Sequence, residues 1–325
     1  MKAIRFHEQG GPEVLKLEEV PDPTPGTGEV LVRVSAAGIS YAEVQMRSGA
    51  MGAHPWFPAP PLPFTPGFEV AGTVAAVGAD VDASLVGTRV VGGIAGGGYA
   101  ELAVLPAAAA LPVPDALDDH EALALFGQGT TAVGVTETGA PQAGEVVLVL
   151  AAAGGVGGLL VQLAKRAGAT VVAAARGEQK LALTKQLGAD LAVDYTETGW
   201  AEKVQAEVGQ VHLLFDPVGG EISQAAFGLL AIGVGRAVVF GSASAQLPAV
   251  TPVDFLARGL RVSGFGPRVF VEPAYGARLR AEAFRLGVEG ALKPVVGEVL
   301  PLSSAAAAHE LFEKRGTTGK IVLVP

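Results

Sequence analysis

The sequence predicts an α/β protein built on a doubly wound parallel sheet, with a β-rich region ahead of it and mixed structure behind it. Three observations carry this. Short strand candidates separated by turn residues fill the first 112 or so positions. From Gly144 onward, continuous apolar runs alternate with helical patterns, the signature of parallel strands covered on both faces. A glycine-rich turn joins the first of those runs to a helix.

In chain order, Pro21, Pro23 and Pro25 mark an extended linker before a strand at Val30–Val34. Further strands are expected at Phe68–Val74 and Gly87–Val91, and the proline-rich stretch from His54 to Pro66 is irregular. A helix is expected over Asp115–Phe126, with Asp118 or Asp119 as its cap, and a second over Thr130–Thr138, ended by Gly139 and Pro141. Val146–Leu150, Thr170–Ala174, Val211–Phe215 and Arg236–Phe240 read as buried strands, with helices at Leu159–Ala167 and Gln179–Leu187. Arg278–Gly287 and Ser304–Lys314 read as helices and Ile321–Val324 as a closing strand.

Composition narrows the function classes. Of 325 residues, 50 % are hydrophobic and 17 % charged, so the chain can bury a large core and is not globally disordered. The net charge of −9 argues against nucleic acid as the main partner. No cysteine is present, which removes disulfides, thiolate zinc sites, iron–sulfur clusters and cysteine nucleophiles, and suits a reducing compartment. The start, Met1–Gly11, has no apolar signal region, and the longest apolar stretch, Val146–Val161, is too short and glycine-rich for a membrane span. The expected protein is soluble and cytoplasmic.

The most informative segment runs from Ala152 through Gly154, Gly155, Val156 and Gly157. It matches the dinucleotide fingerprint G-x-G-x-x-G with alanine in the first place, after an apolar strand and at a helix start. Such a turn lets the backbone approach a pyrophosphate while helix N–H groups face its charge. A dinucleotide site selective for the unphosphorylated ribose places a carboxylate at the end of the second strand. Here Ala173-Ala174-Ala175 is followed by Arg176, with Lys180 nearby; these cations suit a 2′-phosphate and favour NADPH.

Motifs along nearly the whole chain resemble the zinc-independent quinone oxidoreductases of the medium-chain dehydrogenase/reductase superfamily. They are Gly38-Ile39-Ser40-Tyr41-Ala42-Glu43 with Arg47-Ser48-Gly49, Pro66 to Gly72, Gly98-Tyr99-Ala100-Glu101, Ala151 to Gly157, Leu187 to Asp190, Asp216 to Gly220, and Thr318-Gly319-Lys320-Ile321. The resemblance implies a GroES-like β-rich catalytic domain from residues 1–114 and 263–325, a Rossmann domain at 115–262, an active site in the cleft between them, and a homodimer. It implies that Lys180 and Tyr195 hold the 2′-phosphate and that Arg315 reaches the cofactor. Phe240, Gly241, Ser242 and Phe265 would lie beside the nicotinamide, and Thr131 and Val218 would join the cofactor site. Zinc-dependent relatives carry a cysteine near Ser40 and a histidine at Phe68; the five histidines here show no ligand spacing, so no metal is expected. Ser40, Tyr41, Gln45 and Gln128 are the candidate catalytic residues, Ser40 and Gln128 as donors to a substrate oxygen; Tyr41 reads equally well as a packed core ring. Quinone reductases often carry asparagine, tyrosine and lysine where Ser40, Gln45 and Gln128 stand, so the pocket is altered. Met51–Phe57 is expected as a mobile rim in which Trp56 and Phe57 either stack on a flat ring or pack locally within the loop.

Without a Lewis acid, hydride transfer suits an acceptor that spreads the arriving charge over a conjugated system. The expected substrate is therefore a small conjugated carbonyl compound, a quinone first. An enal, enone or enoyl-thioester reductase is the alternative enzyme, and an NADPH-binding protein without turnover the alternative of another class.

Overall fold

Alternation along residues 29–39 builds the longest strand of the first unit. The structure, a computed structural model, describes residues 1–50, 59–248 and 250–325; the expected rim with Trp56 and Phe57 lies outside them. The chain divides by packing into residues 1–127 with 294–325, and residues 128–293.

β1 (Lys2–Arg5) and β2 (Lys16–Glu19) form an antiparallel ribbon. β3 (Glu29–Ile39) buries Val30, Val32 and Val34 on one side, then leads into α1 (Tyr41–Ser48). β4 (Glu69–Val77), β5 (Arg89–Gly93), β6 (Leu102–Pro106) and β7 (Leu111–Pro112) follow, then the short helix α2 (Asp119–Ala124), capped by Asp118. A π-helical turn, Leu125–Gly129, leads onward.

The second unit opens with α3 (Thr130–Gly139), then β8 (Val146–Leu150), α4 (Gly155–Arg166), β9 (Thr170–Ala175), α5 (Glu178–Gln186), β10 (Leu191–Asp194) and α6 (Trp200–Val208). β11 (Leu213–Asp216), α7 (Gly220–Gly228), β12 (Arg236–Val239), α8 (Pro252–Arg258), β13 (Arg261–Gly264), α9 (Pro267–Val271) and α10 (Pro273–Val288) complete it. Its strands are all parallel, in the order β10-β9-β8-β11-β12-β13. This is the doubly wound dinucleotide-binding order, which reverses between β8 and β11 and opens a crevice at their carboxyl ends. Leu148, Leu150, Val172, Leu214 and Ala237 form the buried centre.

The chain then returns to the first unit with β14 (Val296–Pro301), α11 (Ala305–Glu313) and β15 (Lys320–Val324). Its sheet runs β14-β15-β3-β4-β5-β7, with β6 also paired to β3. Val32, Ile39, Val70, Leu105 and Ile321 lie in its core.

The units differ from the division at 114/115 and 262/263. α2 belongs to the first unit because it packs on β3, β4 and β5 and its Asp119 accepts hydrogen bonds from Ser35 and Arg89. The segment 263–293 stays with the second because α10 packs on α3.

Candidate functional site

The glycine turn stands at the carboxyl end of β8, where the strand order reverses. Ala151 adopts a left-handed φ of 50°, and its carbonyl oxygen accepts the Gly154 N–H at 2.9 Å. A Cβ on Gly157 would stand 2.3 Å from that same oxygen, so only glycine lets the first turn of α4 come this close. A Cβ on Gly155 would instead meet the Gln128 carboxamide at 2.1–2.2 Å. Gln128, expected to donate to a substrate oxygen, therefore lies over the glycine turn. Ala152 is buried beneath it, and Gly154 and Val156 are part-exposed at its mouth.

Arg176, Lys180 and Tyr195 are grouped by the register of the next two strands. β9 ends at Ala175 opposite Asp194, the last residue of β10, and the Tyr195 N–H is donated to the Ala175 carbonyl at 3.3 Å. Arg176 follows β9 and is exposed; Lys180, on the first turn of α5, and Tyr195 are half-buried. Asp194 accepts N–H groups from Gly177 at 2.6 Å and Thr196 at 2.8 Å. Burial raises its pKa, but these donors together with the Thr196 hydroxyl and nearby Arg176 outweigh that and hold it below the ordinary value.

On the other side of the reversal, buried Asp216 ends β11 and accepts N–H groups from Val218 at 2.8 Å and Gly219 at 3.1 Å, with the Ser223 hydroxyl as a further partner. The chain after β12 folds back over this turn: Ala243 and Ser244 donate N–H groups to the Pro217 and Val218 carbonyls. Phe240, Gly241 and Ser242 are thereby set beside Val218 at one end of the sheet. The Phe265 ring follows β13 and packs where Gly134 of α3 leaves no side chain, one helical turn from Thr131.

In the first unit, Ser40, Tyr41 and Gln45 occupy the β3–α1 corner, all half-buried. Ser40 and Glu43 form a capping box. The Tyr41 ring stacks on Phe312 of α11, with centroids 6.0 Å apart and planes 24° off parallel. Arg315, exposed with a left-handed φ of 54°, follows that helix.

Behind this corner lies a buried polar cluster that sequence reasoning did not assemble. Glu43 accepts the Ser40 N–H at 2.5 Å and the Phe68 N–H at 2.9 Å. Its pKa is pushed up to about 7, chiefly by burial, against the pull of Lys320 and the two N–H donors, with Glu69 pushing it further up. The Tyr99 oxygen is 3.1 Å from His309 Nε2, and burial with the negative charge of nearby Glu43 raises the tyrosine pKa. Burial and neighbouring Arg47 push His309 down to about 3, so it is neutral at ordinary pH. Arg47, fully buried, donates to the Gly10 carbonyl at 2.6 Å and pairs with Glu313. Lys320 pairs with Glu69 and donates to the Ile39 carbonyl at 3.1 Å. Among the described residues no group of three or more histidine, aspartate or glutamate side chains is arranged for a metal, and no helix is long and apolar enough to cross a membrane.

Family models describe the same division of labour. Residues 26–115 match the alcohol dehydrogenase GroES-like domain, and residues 155–268 match the model described as zinc-binding dehydrogenase. The quinone oxidoreductase of Sus scrofa is 32 % identical over 331 residues, covering 100 % of this chain and 98 % of the pig protein. The 2-haloacrylate reductase of a Burkholderia species is 32 % identical, covering 99 % and 98 % of the two chains. The Escherichia coli quinone oxidoreductase solved in complex with NADPH is 30 % identical with a TM-score of 0.89, covering 100 % of both chains. The chain is an oxidoreductase that belongs to the quinone oxidoreductase family of the medium-chain dehydrogenase/reductase superfamily.

Proposed function

We propose that the protein is an NADPH-dependent reductase that transfers hydride, without a metal, to a quinone. The observation that carries this is the end of β9. A phosphate-type glycine turn stands at the strand reversal, and the neighbouring strand is followed directly by Arg176, with Lys180 on the next helix, Tyr195 after the paired strand, and no carboxylate at the position of Arg176. The Escherichia coli relative was solved with NADPH.

Gly154, Gly155, Val156 and Gly157 present backbone N–H groups and the α4 dipole to the pyrophosphate. Arg176, Lys180 and Tyr195 receive the 2′-phosphate, and Thr131, Val218, Phe240, Gly241, Ser242, Phe265 and Arg315 complete the dinucleotide contacts. When bound, NADPH supplies the hydride. Ser40, Tyr41 and Gln45 face the acceptor, with Ser40 donating a hydrogen bond to its oxygen. Gln128, lying on the glycine turn, serves the cofactor side as well. Reading the chain as metal-free is supported by Ser40 and Phe68 at the positions where zinc relatives carry ligands, and by the engagement of Glu69 with Lys320. A conjugated acceptor fits that chemistry because it delocalises the charge it receives.

A second reading keeps fold and cofactor and changes the acceptor to an activated alkene; the 2-haloacrylate reductase among the relatives favours it. We also propose a homodimer formed through β13. β13 is the open edge of its sheet, and Val253 and Leu256 on the adjoining α8 are 68 % and 88 % exposed, an apolar surface suited to a second copy of the chain. The absence of cysteine suits work in a reducing cytoplasm.

The test is steady-state oxidation of NADPH and of NADH, with a chelator present, against quinones, 2-alkenals and simple ketones. Quinone turnover with NADPH preferred supports the proposal. Turnover of alkenals alone selects the second reading, and loss of activity to the chelator overturns the metal-free chemistry.

A further inference from the structure

Two backbone donors from separate parts of the first unit converge on one buried carboxylate. Glu43, 1 % exposed, takes the N–H of Ser40 just after β3 and the N–H of Phe68 just before β4. Ser40 and Phe68 are 28 positions apart in sequence, and each borders the segment that carries the substrate-facing groups. No other side chain of the unit ties these two backbone positions to one atom group in the hydrogen bonds described.

We propose that Glu43 is a positioning residue: its carboxylate clamps the Ser40 and Phe68 backbones together and so sets how Ser40, Tyr41 and Gln45 are presented to the substrate. The inference rests on the reductase reading for its consequence in turnover, but the clamp itself is a property of the fold.

The clamp depends on charge. An ionised carboxylate accepts both donors, whereas a protonated one offers a hydrogen of its own and loses acceptor capacity. Lys320 on β15 favours the anion and Glu69 on β4 opposes it. Arg47 on α1, Tyr99 and His309 on α11 complete the buried cluster, with Tyr99 hydrogen-bonded to His309, which is neutral. With its pKa about 7, Glu43 exchanges its proton around neutrality. The clamp is closed above that pH and loosened below it.

Hydrogen exchange at the Ser40 and Phe68 amides, corrected for intrinsic exchange, tests the clamp across neutral pH in the full-length protein, alongside kcat/KM for a quinone and the Kd of NADPH. In the wild type, protection of both amides climbs about tenfold as pH rises through the Glu43 transition. kcat/KM follows the same curve while NADPH affinity does not. Glu43→Gln is expected to hold protection low and pH-independent. Glu69→Gln removes a neighbouring negative charge, so it moves the transition to lower pH; this readout stands even if the Glu43→Gln variant folds poorly. Unchanged protection in Glu43→Gln, or a Glu69→Gln transition that does not move, overturns the clamp. If protection follows pH but the wild type reduces no quinone, the reductase reading fails and the clamp stands.

Discussion

The Asp194 carboxylate accepts the Gly177 N–H at 2.6 Å and thereby ties the end of β10 to the turn that follows β9. Arg176 belongs to that turn, and Gly177 needs its left-handed φ of 82° to enter α5. The Asp194 carboxylate beside this turn is thus spent on backbone N–H groups and does not compete for the ribose. Asp194→Ala should release the turn and raise the KM for NADPH several-fold, with little effect on the KM for a quinone. Steady-state kinetics with each substrate varied in turn checks this.

Cofactor choice should reside in the cation group. Arg176→Ala and Lys180→Ala are each expected to lower kcat/KM for NADPH by about tenfold and to leave NADH almost unchanged, because only the 2′-phosphate loses a charge-assisted partner. The ratio of kcat/KM for the two cofactors is the measurement. A parallel loss with both cofactors would place these cations outside the phosphate site.

Two glycines of one turn should behave differently. A methyl at Gly157 meets the Ala151 carbonyl, part of the backbone, whereas a methyl at Gly155 meets the far end of the flexible Gln128 side chain. Gly157→Ala should cost about 1–3 kcal/mol through overpacking and abolish measurable NADPH binding. Gly155→Ala should fold normally once Gln128 swings aside, and Gln128→Ala should relieve what remains. Thermal melts and fluorescence titration with NADPH separate the cases.

How much of this was legible in the sequence follows from which residues each element uses. Val146–Leu150 was readable to the residue because five apolar side chains in a row end at a glycine turn. The apolar pattern places the start of α4 at Leu159, but the helix begins at Gly155, because Gly155, Gly157 and Gly158 are poor helix formers placed there for close approach. β10 and β13 have only four residues each, and β13 is Arg-Val-Ser-Gly at a sheet edge, without an apolar run to betray it. The Glu43, Arg47 and Lys320 cluster was invisible for another reason. Charged side chains are ordinarily exposed, and only the pairing of distant segments, such as β15 with β3, brings their partners together.

The Glu69–Lys320 pair occupies space that Gly38 and Gly127 leave open; a Cβ at either would reach within 2.4 Å of the Glu69 carboxylate. Lys320→Met should leave Glu69 buried without its cation and destabilise the first unit by about 3–5 kcal/mol. Adding Glu69→Leu should recover much of that loss, since an apolar pair carries no desolvation cost. Urea denaturation of the single and double variants checks both statements.

Glu43 and His309, two members of one buried cluster, should mask each other in the pH dependence of stability. Glu43 rises from 4.5 to about 7 on folding, so between those values the native state holds a proton that the unfolded chain lacks, and its contribution grows as pH falls. His309 drops from 6.5 to about 3, so below 6.5 the unfolded chain holds a proton that the native state lacks, and its contribution shrinks as pH falls. Where the two windows overlap, from 4.5 to 6.5, the proton counts balance and the pair adds no slope. Removing one partner should expose the other. In Glu43→Gln, stability should fall with decreasing pH below 6.5 more steeply than in the wild type, by up to about 1.4 kcal/mol per pH unit. In His309→Gln it should change by a similar amount with the opposite sign, making the variant relatively more stable in acid. Urea midpoints across this range, read as differences from the wild type, isolate the two groups from the remaining carboxylates, and equal slopes in all three proteins would show that the groups do not titrate as the buried cluster requires.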